Sequence, residues 1–167
     1  MALVDVLEKF PAEHPGRDTL RAILQRFANA IRKVQDPATG LWYDIINLPK
    51  EKGNYFEASA SSMFVCAIAK AVRLGHLPAS YLPVAQKRFA GILKEFVKTD
   101  ANGQTNLHGT VSVSGLGGNP YRDGSYAYYM SEPVVVNDPK GVGAFLQAAN
   151  EMALLKTLPE GKGKTVL

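Results

Sequence analysis

The chain has 167 residues, enough for one domain with a substantial core, and it is 46% hydrophobic and 20% charged, which excludes a disordered chain. Its net charge of +4 comes from scattered Lys and Arg without a basic stripe or a reading motif, so nucleic-acid binding is not expected. No run of about 18 apolar residues occurs, so no membrane span is expected either.

Residues 2–10 are apolar on most sides and are expected to form a helix enclosed by others. The same segment has an acid at Asp5 and no basic region, so it does not read as a signal peptide, and a cytoplasmic location is expected. Leu20, Ile23, Leu24, Phe27, Ile31 and Val34 recur at helical spacing opposite Arg21, Gln25, Arg26, Arg32 and Lys33, which predicts one apolar stripe on a solvated helix. A long loop over 35–56 follows. Residues 58–74 carry small or apolar side chains on nearly every face and stop at Gly75, a second enclosed helix. It contains the single cysteine, Cys66, expected as a buried and inert thiol.

Pro83 opens the next amphipathic helix, with Ala85, Phe89, Ile92, Leu93, Phe96 and Val97 inward and Lys87, Arg88, Lys94, Glu95 and Lys98 on the wet side. A second long loop spans 99–140. Within it, alternating Val111 and Val113 and a Tyr-rich return predict a short β-hairpin or extended loop over residues 107–130. Residues 141–155 form a third enclosed helix, entered through Asn137-Asp138-Pro139. The domain is drawn over 1–155, and 156–167 is a tail whose Gly161-Lys162-Gly163-Lys164 reads as a frayed end.

Enclosed and amphipathic helices thus alternate. That predicts an all-α fold in two concentric layers, as in an α/α toroid, with an irregular helical bundle as the alternative. The inner-to-outer connections are short and the outer-to-inner ones long, which puts both long loops at one end. Loops of that length without structure of their own are usually functional or disordered, and these are rich in aromatics and paired polar groups. They lead into the N-termini of the enclosed helices, whose free N–H groups favour an anionic ligand.

Several loop residues suit carbohydrate recognition, each with a structural alternative. Trp42, the only tryptophan, followed by Tyr43, suits stacking on a sugar ring or else plugs the end of the helical layer. Glu57, with Ser59 nearby, either orders substrate hydroxyls or places a favourable charge at a helix start. Arg122 offers a planar fork for a carboxylate and Ser125 a neutral hydrogen bond, or else Arg122 and Asp123 form a structural pair in a tight turn. His14, His76 and His108 lie too far apart for a zinc site.

The motifs Asp36-Pro37, Gly40-Leu41-Trp42-Tyr43, Gly53-Asn54-Tyr55, Glu57-Ala58-Ser59-Ala60-Ser61 and Gly115-Leu116-Gly117-Gly118, with Tyr121-Arg122-Asp123-Gly124-Ser125-Tyr126 and Asn137-Asp138-Pro139-Lys140-Gly141, resemble the unsaturated rhamnogalacturonyl hydrolase family. The resemblance runs in order over 1–155. It implies a six-hairpin α/α toroid, of which this chain makes about half. It further implies hydrolysis of 4,5-unsaturated uronyl oligosaccharides from pectin by hydration of the C4=C5 bond, with no metal or organic cofactor. Substrate contacts are then expected from Trp42, Tyr43, Glu57, Ser59, His108, Arg122, Asp123 and Ser125.

The family's catalytic Asp has no counterpart here, so no catalytic residue is assigned. Position 44, an amide in the pattern, is Asp44. Six hairpins of roughly 40 residues would need on the order of 240, more than this chain has. An open half-toroid is therefore expected, paired with a missing N-terminal half or forming a homodimer through exposed apolar edges. A carbohydrate-binding or assembly module without turnover, or a truncated remnant, are the alternatives.

Overall fold

The computed structural model describes residues 1–156; the Gly/Lys stretch of the expected tail lies outside the described residues. Six α-helices make up most of it: α1 (Ala2–Lys9), α2 (Arg17–Lys33), α3 (Ala58–Arg73), α4 (Leu82–Glu95), α5 (Tyr126–Ser131) and α6 (Pro139–Lys156). Four short strands join them: β1 (Val97–Thr99), β2 (Thr105–Leu107), β3 (Thr110–Val111) and β4 (Val134–Val135).

Helix α3 lies at the centre, packed most extensively on α6 and next on α4. It buries Ala58, Ser59, Ser61, Ser62, Cys66 and Ala69 along with larger apolar residues. Helix α6 buries Gly141, Ala144 and Ala148, at the spacing of one helix face. Small residues on both partners let the two backbones approach closely. At the far end Arg73 clamps Glu151 bidentately, Nε to Oε2 at 2.7 Å and the guanidinium NH2 to Oε1 at 2.8 Å.

Helices α2 and α4 flank this pair as the amphipathic elements: α2 buries Leu24, Ala28 and Ile31 and leaves its basic face in water. Helix α1 buries only Val4 and Leu7, so it is enclosed on one side rather than on most. The wet-side assignment of Arg88 is corrected: it has no exposed surface. It points inward because Trp42 and Gln35, carried by the first long loop, fold over α4 and meet it. Helix α4 also ends sooner than its pattern suggests, and Val97 passes into β1.

The second long loop holds more structure than expected. Strands β1 and β2 pair antiparallel, Val97 opposite Leu107, around a turn in which Asp100 Oδ1 accepts the N–H groups of Asn102 and Gln104. A short β-hairpin or extended loop was expected over 107–130; β3 instead joins β4, which lies beyond that span, with Thr110 opposite Val135. The Tyr-rich stretch does not return as a strand because it is capped as a helix. Ser125 Oγ accepts the Tyr128 N–H at 3.1 Å, which starts α5.

Both long loops meet over the N-terminus of α3. Glu57 N donates to Trp42 O at 3.0 Å and Asp44 N to Tyr55 O at 2.8 Å, closing the first loop on itself. Ala58 N donates to Gly109 O at 2.8 Å, and Tyr126 Oη donates to Lys52 O at 3.2 Å, tying in the second.

Candidate functional site

The loop face is organised by a two-residue ladder. Tyr43 and Phe56 form its bridge and put their rings together at 4.3 Å on one side. Side chains alternate along extended chain, so Trp42, Asp44, Tyr55 and Glu57 all project to the other side.

Trp42 takes the sealing role. It is wholly buried, donates from Nε1 to Ile31 O at 2.8 Å, meets the Phe64 ring edge-on at 4.8 Å, and carries the Arg88 guanidinium 4.4 Å above its ring. No sugar can stack on it, which corrects its place among the substrate contacts. Burial first, and then Arg32, lower the Arg88 guanidinium to about 9.

Glu57 is the N-cap of α3 and is 2% exposed. Its carboxylate accepts the Ala60 N–H at 2.6 Å, the Val111 N–H at 3.1 Å and the Ser59 hydroxyl at 2.9 Å. Glu57 and Ser59 therefore join α3 to β3. Their hydrogen bonds are spent within the protein.

The glycine-rich segment folds as a tight turn bridged by Gly117 and Arg122, with positive φ at Gly117 and Gly118. Arg122 Nε lies 3.8 Å from Glu132 Oε1 in a partly exposed pair. Asp123 Oδ1 accepts the Ser125 N–H at 2.8 Å, and that bond holds the Asp123 carboxyl below the usual carboxylate range. His108 is half-buried beside β2, its backbone N–H donating to Phe96 O at 2.8 Å. Tyr43, Arg122, Asp123, Ser125 and His108 all belong to the two loops that converge over α3, while Trp42 lies beneath them.

Asp44, noted in the sequence only as a departure from the pattern, and Tyr55, Tyr128 and Glu132 were not among the expected site residues. Burial, then the nearby Glu57, raise the Asp44 carboxyl, and burial, then Asp44, raise the Tyr55 hydroxyl. Asp44 Oδ2 and the Tyr55 hydroxyl are buried and lie against each other without reaching hydrogen-bond geometry. The repeats Trp42-x-Asp44 and Tyr55-x-Glu57 were the available signal, since paired extended segments put all four on one side. A groove of about 670 Å³ opens beside Asp44, walled by Phe27, Ile31, Val34, Ile45 and Tyr129. Among the described residues no group of His, Cys, Asp and Glu could hold a metal ion.

Comparison with known proteins decides what this face belongs to. The family model described as Glycosyl Hydrolase Family 88 matches residues 1–156. The chain belongs to glycosyl hydrolase family 88. This family 88 chain is similar to a solved glycoside hydrolase of family 105 from C. acetobutylicum, with 46% identity, a TM-score of 0.89, and coverage of 95% of this chain and 43% of that one. A possible family 105 member from Salmonella enterica is 28% identical, with a TM-score of 0.74 and coverage of 92% and 36%. Among relatives, Protein Atu3128 of Agrobacterium fabrum and the 24.9 kDa protein in picA locus of Rhizobium radiobacter are each 39% identical over 161 residues, 93% of this chain and 68% of each relative. The family 88 chain thus spans less than half the length of those solved structures. The all-α toroid-type fold and the expected family resemblance agree with these findings.

Proposed function

We propose that the chain forms the substrate-binding wall of a glycosidase that removes a 4,5-unsaturated uronyl residue from pectin-derived oligosaccharides such as unsaturated galacturonyl-rhamnose. The observation that carries this reading is the 46% identity, over 95% of the chain, to a family 105 hydrolase, with both long loops gathered over α3. In this reaction an acid protonates C4 of the enol ether, water adds at C5, and the hemiketal opens to release the next sugar. The chain's own part is to hold the sugar: the Arg122 fork suits the uronate carboxylate, and Tyr43, His108, Asp123 and Ser125 are the further contacts this reading assigns.

The resemblance leaves the family's catalytic Asp without a counterpart here, and several of the acids present have structural duties. Glu57 caps α3, Asp123 closes its turn, and Asp5 pairs with Lys70 at 2.6 Å. We therefore assign no catalytic residue within this chain and expect no turnover from it alone. Unsaturated galacturonyl-rhamnose, followed by loss of the C4=C5 absorbance, tests this directly; measurable turnover refutes it. A carbohydrate-binding role without turnover is the second reading. No described helix is long and apolar enough to cross a membrane, and the lone Cys66 is buried and unpaired. That thiol fits the cytoplasmic location we propose.

A further inference from the structure

Two grooves meet on the loop face and share Val34, Ile46 and Asn47, yet their walls differ in charge. The groove of about 610 Å³ carries Lys33 and Lys50 as well as Asp36. The groove of about 670 Å³ has no basic residue in its lining, and Asp44 is its one acid. None of the ion pairs among the described residues involves Asp44. Glu57 acts on it from behind as a second negative charge. The remaining wall is apolar and partly open: Phe27 is 38% and Val34 41% exposed, and Tyr129 is half-buried.

We propose that the Asp44 groove binds a neutral sugar unit, and that Asp44 sets its preference for a neutral sugar over a uronate. This rests on the saccharide reading above and adds to it the class of unit that this groove takes. A pyranose has an apolar C–H face and a rim of hydroxyls, and the lining offers both kinds of partner: Phe27 and Tyr129 for the face, Asp44, Asn47 and Ser114 for the hydroxyls. A carboxylate oxygen accepts hydrogen bonds from sugar hydroxyls well, and with Oδ2 buried that acceptor is Asp44 Oδ1. A uronate in the same place would set its own carboxylate beside Asp44 with no cation between them, and like charges in a partly desolvated groove repel. The adjoining groove, with Lys33 and Lys50 beside Asp36, carries cations that the Asp44 groove lacks, and the uronate of the reading above stays with Arg122.

Two glycosides that differ only at C6, methyl α-galactopyranoside and methyl α-galacturonoside, separate the ideas. Each is titrated into the full chain at pH 7 and low salt, with backbone amide shifts read by NMR. The neutral glycoside is expected to move Ile45 and Ser114, which line only the Asp44 groove, and to bind there roughly tenfold more tightly than the uronide. Asp44→Asn keeps the size and removes the charge. It should bring the uronide close to the neutral sugar at Ile45 and Ser114, so that the ratio of the two affinities falls towards one. Phe27→Ala, at an exposed side chain, should weaken the neutral sugar by several-fold and leave the fold intact. Uronide shifts that leave Ile45 and Ser114 unmoved support the proposal. A uronide that matches the neutral glycoside at Ile45 and Ser114 in the wild type overturns the proposal, as does an Asp44→Asn variant that keeps the full discrimination. If neither sugar moves any amide, the saccharide reading itself fails with it.

Discussion

Burial and the negative charge of Glu57 raise the folded-state Asp44 carboxyl above its ordinary value of 3.8, against a smaller opposing contribution from Tyr55. The folded chain therefore holds a proton that the unfolded chain has released, and stability falls as pH rises through that window. Below 3.8 the carboxyl is protonated in both states and the penalty is absent. Asp44→Asn is accordingly expected to raise the thermal midpoint at pH 7, with the gain shrinking as the pH approaches 3.8; an equal gain at both ends would remove the electrostatic account. Arg88 is a second buried charge, with Nε and one terminal nitrogen unpartnered. Arg88→Met keeps the apolar stem over Trp42 and deletes the charge, whereas Arg88→Ala also opens a cavity. The alanine variant should lose about 2–4 kcal/mol and the methionine variant much less, as measured by urea unfolding. Neither residue was legible from one-dimensional pattern. Arg88 has the polarity of a surface residue, and only the loop folded over it makes it internal.

Helix α4 shows a related limit at the scale of elements. Gly91 lies in its interior, where alanine normally favours the helix by about 0.5–1 kcal/mol. Here a Cβ would stand 2.2 Å from Thr39 O, a backbone atom of the loop that delivers Trp42. Gly91→Ala is expected to destabilise the chain despite its propensity gain, and to cost more than the same change at Gly143, where nothing lies within 4 Å. Chemical denaturation of the two variants side by side checks this. The long helices were readable because α2 and α4 repeat an apolar face over several turns, while α3 and α6 carry small or apolar residues on nearly every side. Helix α5 and strand β4 were not. Six residues and two residues carry no period: α5 starts from the Ser125 cap within a local turn, and β4 exists only through β3, its partner distant in sequence. The convergence of the two long loops followed from helix direction alone, whereas the inward side of the first loop needed the Tyr43–Phe56 pairing to be known.

For the molecule as a whole, the flanks of α3 matter most. Helix α1 leaves Val6 47% exposed and α6 leaves Leu146 60% exposed, while the 530 Å³ groove along α6 is lined by Val97, Val142 and Phe145. Apolar patches beyond a few hundred Å² are rarely left open by monomers, and covering them is worth about 25 cal/mol per Å². We propose that these flanks are met by further helices of the same layered fold or by a second copy of the chain. Light scattering of the isolated chain should show a dimer or larger species whose size rises with concentration; a monodisperse monomer over the whole range would refute this. Trp42 adds a different kind of consequence. It is the chain's one tryptophan, wholly enclosed among α2, α3 and α4. Its fluorescence is therefore a single-site signal of the closure of those three helices, emitted from a dry environment. Because no ligand in either groove touches the indole, sugar that changes its emission does so by moving the helices, whereas unfolding shifts it to the red at once.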